Sequence, residues 1–168
     1  MPGKIFSSAF GDTIESVERG IKEIMMEPFE IIKLESTGKT ATPVTKFDEE
    51  LQHFALRMSM TIKSVTWGNC VGLAANQVGD DRAFFIAENI VYVNPEIIWK
   101  SSAPANRSRE GCYSLRENEY FTIDRAPSIT IRWQDLLGNW HERRRNGFNA
   151  AVIQLENDHL LGKLCSGE

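Results

Sequence analysis

The sequence predicts an α+β fold, and three observations predict it. Helical and period-two segments are intermixed along the chain instead of alternating as βαβ units. Residues 129–133 alternate apolar and polar, the turn Asp135-Leu136-Leu137-Gly138-Asn139 follows, and 140–145 complete a β-hairpin. A last helix then starts after Asn146 or Asn149, either a good N-cap, and ends at Gly162, where a left-handed residue belongs.

Along the chain, Asp12 with Glu15 makes a capping-box pattern before Ile14, Val17, Ile21, Ile24 and Met25, so 12–26 reads as a helix that Pro28 ends. Residues 29–34 read as a short strand or extended segment, and 36–43 as a polar loop. Thr45, with Asp48 three later, marks the start of a second helix whose buried stripe is Leu51, Phe54, Ala55, Met58, Ile62 and Val65. His53 lies off that stripe and reads as a surface histidine, and Met25, Met26, Met58 and Met60 read as core filling. The pattern breaks over 68–79. Strands are expected at 82–87 and 90–93, a turn at Asn94-Pro95, a further strand at 97–99, and a loop over 101–109. Arg143, Arg144 and Arg145 read as the solvated face of a strand.

The 168 residues suit a single domain over 1–168, with 1–28 as an extra N-terminal helical segment. With 42% hydrophobic and 25% charged residues the composition is that of a soluble globular protein. The net charge of −4 gives no reason to expect sequence-specific nucleic acid as partner, and no apolar run approaches the roughly 18 residues of a membrane span. Cys70, Cys112 and Cys165 form no disulfide framework, which fits a reducing compartment. The expectation is a cytoplasmic protein, or an organellar one whose transit peptide has been removed. Composition leaves the oligomeric state open.

Three stretches carry candidate chemistry. Cys70-Val71-Gly72-Leu73-Ala74-Ala75-Asn76-Gln77 combines small residues, which allow close backbone approach to a ligand, with an amide donor. Glu110-Gly111-Cys112-Tyr113-Ser114 offers a thiol able to bind a metal. Gln154-Leu155-Glu156-Asn157-Asp158-His159 sets Glu156 and His159 on one helical face, with Leu155 one turn before His159.

In this order the stretches resemble the peptide deformylase family, marked by G-x-G-L-A-A-x-Q, E-G-C-L-S and Q-H-E-x-D-H-L-x-G. Val93-Asn94-Pro95-Glu96 is similar to a further family strand, and the resemblance spans about 29–162. It implies antiparallel sheets around the helix of the third motif. It also implies removal of the formyl group from N-formylmethionyl nascent polypeptides, which are ribosome-associated, by water bound to one divalent metal. The family's metal is Fe²⁺, replaceable by Zn²⁺ or Ni²⁺. By position, the resemblance makes Cys112 and His159 metal ligands and Glu156 the general base. Gln77 and the backbone N–H of Tyr113 become oxyanion donors. Phe148, Ala151 and Val152 would line the methionine pocket, with Val71, Gly72 and Glu110 beside the peptide.

One departure governs function. Leu155 stands where the family has its first metal-binding His, leaving two protein ligands where catalytic sites of this type use three. If a four-ligand site contributes about 10–16 kcal/mol, one ligand is worth about 3–4 kcal/mol, or roughly two to three decades of affinity. His141, on the predicted hairpin, is poorly placed to substitute. Cys70 replaces the first Gly of its motif, Tyr113 a Leu, and Arg116 a common Pro. Three functions therefore stand side by side: a deformylase with an altered metal site, a protein that binds formylmethionyl or methionyl peptides without hydrolysis, and an interaction protein using its N-terminal segment.

Overall fold

The computed structural model describes residues 26–33, 39–66, 70–115 and 119–164. The helix expected over 12–26 lies outside them except for Met26, which is in irregular backbone; Arg116 and Cys165 also lie outside. The main elements among the described residues are α1 (Glu49–Ser64), β1 (Gly72–Ala74), β2 (Phe84–Ala87), β3 (Ile90–Lys100), β4 (Asn106–Gly111), β5 (Tyr120–Arg125), β6 (Ser128–Gln134), β7 (Trp140–Asn146) and α2 (Gly147–Leu160). Five strands form an antiparallel sheet of order β1-β2-β3-β6-β7, and β4 pairs with β5 as a separate two-stranded sheet. The fold is α+β, as the sequence predicts.

Asp48, not Thr45, caps α1: its Oδ1 accepts the Leu51 N–H at 3.1 Å. Glu49 and Glu50 in the first turn and Lys63 in the last complement the helix dipole. Leu51, Ala55 and Met58 are buried, as the stripe predicts, together with Thr61. The Thr61 hydroxyl accepts the Phe29 N–H at 2.8 Å and donates to Arg57 O at 2.8 Å. That bond, with Ile32 N–H donating to Gln77 O at 2.9 Å, holds residues 29–33 against the body without strand pairing.

Strand β2 is buried along its whole length because both faces of the sheet are covered. Phe84 and Ile86 pack with Leu51 and Met58 of α1, together with Leu73 and Val93. Phe85 and Ala87 join Tyr92, Ile129, Ile131 and Trp133 beneath Ala150, Val152 and Ile153 of α2. Each strand residue thus feeds one of two cores, and α2 lies directly over the sheet.

Two expectations are corrected. Asn94-Pro95 is not a turn: β3 runs through it, with a register shift between Val93 and Glu96 and Asn94 at φ +48°. Asn94 tolerates this because its side chain replaces the broken ladder. Its Oδ1 accepts Val44 N–H at 2.7 Å, and its Nδ2 donates to Val44 O and to Gln134 Oε1, both at 2.8 Å. Asn94→Ala is expected to cost about 2 kcal/mol through these buried groups, read as a lower urea midpoint at unchanged m-value. Residues 101–109 are not all loop, since β4 begins at Asn106 and pairs residue by residue with β5, a strand the sequence reading leaves unassigned although Tyr120-Phe121-Thr122-Ile123 is a run of strand-favouring residues. The hairpin of β6 and β7 is as predicted, in the register Ile131↔Arg143, but Arg145 does not join the solvated face: it is buried and donates to Glu88 Oε2 at 2.8 Å and to the Tyr92 hydroxyl at 3.2 Å. Asn146 is the N-cap of α2 by backbone position, without a side-chain cap bond, and Gly162 closes the helix at φ +74°.

Candidate active site

The second and third motifs meet because β4 delivers Cys112 at the end of the small sheet, over the helix that carries the third motif. After β1 a single 3-10 turn, Ala75–Val78, aims Gln77 at the same point. The Gln77 Oε1 accepts Ala74 N–H at 2.9 Å, which fixes the amide, and Nε2 donates to Cys112 Sγ at 3.1 Å and Ser114 Oγ at 3.3 Å. Ser114 N–H also reaches Cys112 Sγ at 3.4 Å.

From α2, His159 turns its ring toward Cys112, with which it is hydrogen bonded. Its Nδ1 donates to Lys163 O at 3.1 Å, since a carbonyl only accepts, and this leaves Nε2 on the Cys112 side. Burial alone would lower the His159 pKa, but the Cys112 bond and the charges of Glu156 and Cys112 outweigh it and raise the value. Glu156 is 3% exposed, and burial, opposed by His159 and reinforced by Cys112 and Glu110, pushes its pKa up to about 8. Its Oε2 is buried without a hydrogen-bond partner.

Gly72 does not line the groove beside Cys112 but faces Glu156: a Cβ there would stand 2.4 Å from Glu156 Oε1. The glycine thereby makes room for the carboxyl, while its neighbour Val71 lines the groove. Gly72→Ala is expected to displace Glu156 and destabilise the fold by about 1–3 kcal/mol, visible as a lower melting temperature.

The groove has a volume of about 730 Å³ and brings together Val71, Glu110, Cys112, Tyr113, Phe148, Ala151, Val152 and Leu155. Glu110 borders it, but its carboxylate is engaged in two bonds from Arg125, at 2.9 and 2.7 Å, so it braces the wall. Arg125 also donates to Asp158 at 2.5 Å. Sequence reasoning misses this arginine, and misses Asn76, whose Nδ2 donates to His159 O at 2.6 Å. The Gln154 side chain bonds both the N–H and the carbonyl of Ala126, at 3.1 and 3.0 Å, tying α2 to the segment after β5.

Leu155, 9% exposed, packs against Cys112 in an apolar cluster with Leu115, Phe121 and Ile123. Hydrocarbon thus abuts the sulfur where a third donor would be needed. Among the described residues no three His, Cys, Asp or Glu side chains converge on one cation position. His141 offers no rescue, being bonded to Asp135 Oδ2 at 2.8 Å across the β6–β7 turn. Cys112 and His159 remain as two donors, and this set does not fit a catalytic divalent ion.

Comparison with known proteins gives the same lineage as the motifs. The family model described as polypeptide deformylase matches residues 28–167. The peptide deformylase of Thermotoga neapolitana is 38% identical over 130 residues, covering 75% of this chain and 76% of that protein. The crystal structure of the Thermotoga maritima peptide deformylase superposes with a TM-score of 0.75 at 34% identity, over 82% of this chain and 95% of the other. A class I type b peptide deformylase from Acinetobacter baumannii, in a crystal structure with Met-Ala-Ser bound, gives 0.74 at 29% identity, over 83% and 97%. The motif side chains converge, the sheets and helix are arranged as in those structures, and the chain belongs to the polypeptide deformylase family.

Proposed function

We propose that this chain uses the groove to bind the methionyl end of nascent peptides, and that the family's metal-dependent removal of the formyl group does not proceed there. The family implies a catalytic metal, and the observation that carries the reading is Leu155 packed on Cys112 in place of a third donor. The binding half of the site is supported by different residues. Val71, Phe148, Ala151 and Val152 give the groove an apolar lining, and burying a methionine side chain against them contributes about 1.5–3 kcal/mol. A role beside newly made chains fits a cytoplasmic protein.

Formate release from formyl-Met-Ala-Ser tests the hydrolytic half, using protein purified anaerobically and supplied with Fe²⁺ or Ni²⁺. The parent chain is expected to match its Glu156→Ala variant. Turnover well above that control would overturn the reading and make this a working deformylase. Calorimetry with methionyl tripeptides tests the binding half.

A further inference from the structure

The far end of the groove is as specific in its chemistry as the end at Cys112. Ser108, Arg109, Glu110 and Gly111 all line it, so both faces of β4 reach the groove, and β4 is paired on one edge alone. The apolar wall lies at the Cys112 end, since Ala151 is one helical turn before Leu155, which packs on Cys112. Arg109 is three residues before Cys112, about 10 Å back at the rise of an extended chain. A peptide with its methionine on that wall, running out along β4, brings its third and fourth residues beside Arg109, about 7 and 10 Å on.

The charged side chains of the lining are Arg109, Glu110 and Glu119, and they differ in what they already hold. Glu110 is neutralised by its two bonds from Arg125. Glu119 is engaged in an interaction of its own. The Arg109 guanidinium makes no hydrogen bond or ion pair among the described residues; it is exposed and lies over the Tyr120 ring, 4.5 Å from its centroid. Its strand neighbour Arg107 is a contrast, set against Asp124 at 3.9 Å and outside the groove. Stacking engages the face of a guanidinium and leaves its N–H edge for a planar acceptor. It also holds the group in place, so that less side-chain freedom is lost when a carboxylate arrives.

We infer that the groove selects methionyl peptides that carry an acidic side chain at the third or fourth residue, with Arg109 as its bidentate partner. The inference rests on the peptide-binding reading above and names the class of nascent chain bound. Such a chain has no free C-terminus while it is being made, so the carboxylate is that of an Asp or Glu side chain.

The test is calorimetry near neutral pH with three peptides that share one N-terminus and are amidated at the C-terminus: formyl-Met-Ala-Asp-Asp, formyl-Met-Ala-Ser-Ser and formyl-Met-Ala-Lys-Lys. Amidation leaves the side chains as the only source of carboxylate. The Asp-Asp peptide is expected to bind at least about threefold more tightly than Ser-Ser, the scale of a well-formed but solvent-accessible pair, and Lys-Lys more weakly than both. Raising the salt from about 0.05 to 0.5 M should shrink the spread. Arg109→Gln is expected to bring the Asp-Asp and Ser-Ser affinities together, while Arg109→Lys keeps their order. Arg107→Gln, which removes the same charge from the same strand outside the groove, is expected to leave the ratio as it was. Equal binding of the three peptides to the parent chain overturns the inference and leaves the peptide-binding reading standing; binding of none overturns both. A ratio that survives Arg109→Gln, or that falls as far in Arg107→Gln, overturns the assignment to Arg109. The comparison on the parent chain needs no variant to fold.

Discussion

Leu155→His is expected to bring back both the metal and the chemistry. Position 155 is one helical turn before His159 on the buried face of α2, and its present side chain already touches Cys112. An imidazole there would stand beside Cys112 and could join it and His159 as a third nitrogen or sulfur ligand to a metal. Two to three decades of affinity are expected from the added ligand, roughly the share of one donor in a four-ligand site. The variant should therefore retain about one equivalent of Fe²⁺, Ni²⁺ or Zn²⁺ through gel filtration, where the parent retains little. With Glu156 in place behind the site, formate release from formyl-Met-Ala-Ser should rise at least about a hundredfold over the parent, in line with that affinity. Metal analysis and turnover are read on the same sample. Metal without turnover would mean that Gln77, bonded to Cys112 and Ser114, no longer serves the formyl oxygen. No metal at all would mean that the Cys112–His159 pair is not preorganised for a cation, and the ligand-loss argument would fail.

Arg125→Met is expected to be the most destabilising single change outside the hydrophobic core. Arg125 joins Glu110, two residues before Cys112, to Asp158, one residue before His159. Burial alone would disfavour its charge, but the bonds to Glu110 and Asp158 more than offset that. Breaking a buried pair from one side leaves an uncompensated charge, at a cost of about 3–5 kcal/mol. Most of this falls on Glu110, whose side chain is 5% exposed against 30% for Asp158. Urea unfolding of the single variant should show the loss, and Arg125→Met with Glu110→Leu should recover much of it, because the second change removes the stranded charge. If the double variant is as unstable as the single one, the loss comes from packing around the guanidinium's stem and not from the charge.

The parts of this molecule that can be read from its sequence are those that carry their own pattern. Helix α1, the β6–β7 hairpin and α2 each show a period or a cap that is local to them, and the structure differs at their ends by a few residues, as with Asp48 in place of Thr45. Strand β4 shows no such pattern: in Asn-Arg-Ser-Arg-Glu-Gly the buried side chain is Glu110, and the strand exists because β5 pairs with it. Asn94-Pro95 reads as a turn because both residues favour one, yet Asn94 uses the same left-handed conformation to bulge a continuous strand. Within the site, Gln77, Cys112, Glu156 and His159 are legible through their motifs, and so is the anomaly of Leu155. Arg125 and Asn76 are not, because their partners lie 15, 33 and 83 residues away and no spacing rule connects them. Gly72 is legible as a position of close approach, but what approaches is the protein's own Glu156.

The strands β3 and β6 are neighbours in the large sheet, and the chain between them leaves and returns within one bonded step. Lys100 pairs with Ile129, and Ser101 N–H donates to Ser128 O at 2.9 Å. Among the described residues, β4, the Cys112 turn and β5 form an excursion through this narrow neck, tied to the body by Arg125, Gln154 and the bond from Gln77 to the Cys112 sulfur. An excursion of this kind is expected to open and close as its own cooperative unit. Amide protons in β4 and β5 should then exchange faster than those of β2 and β3, and slow when a peptide bridges the groove. The same neck lets one wall of the groove shift while the sheet behind it keeps its register.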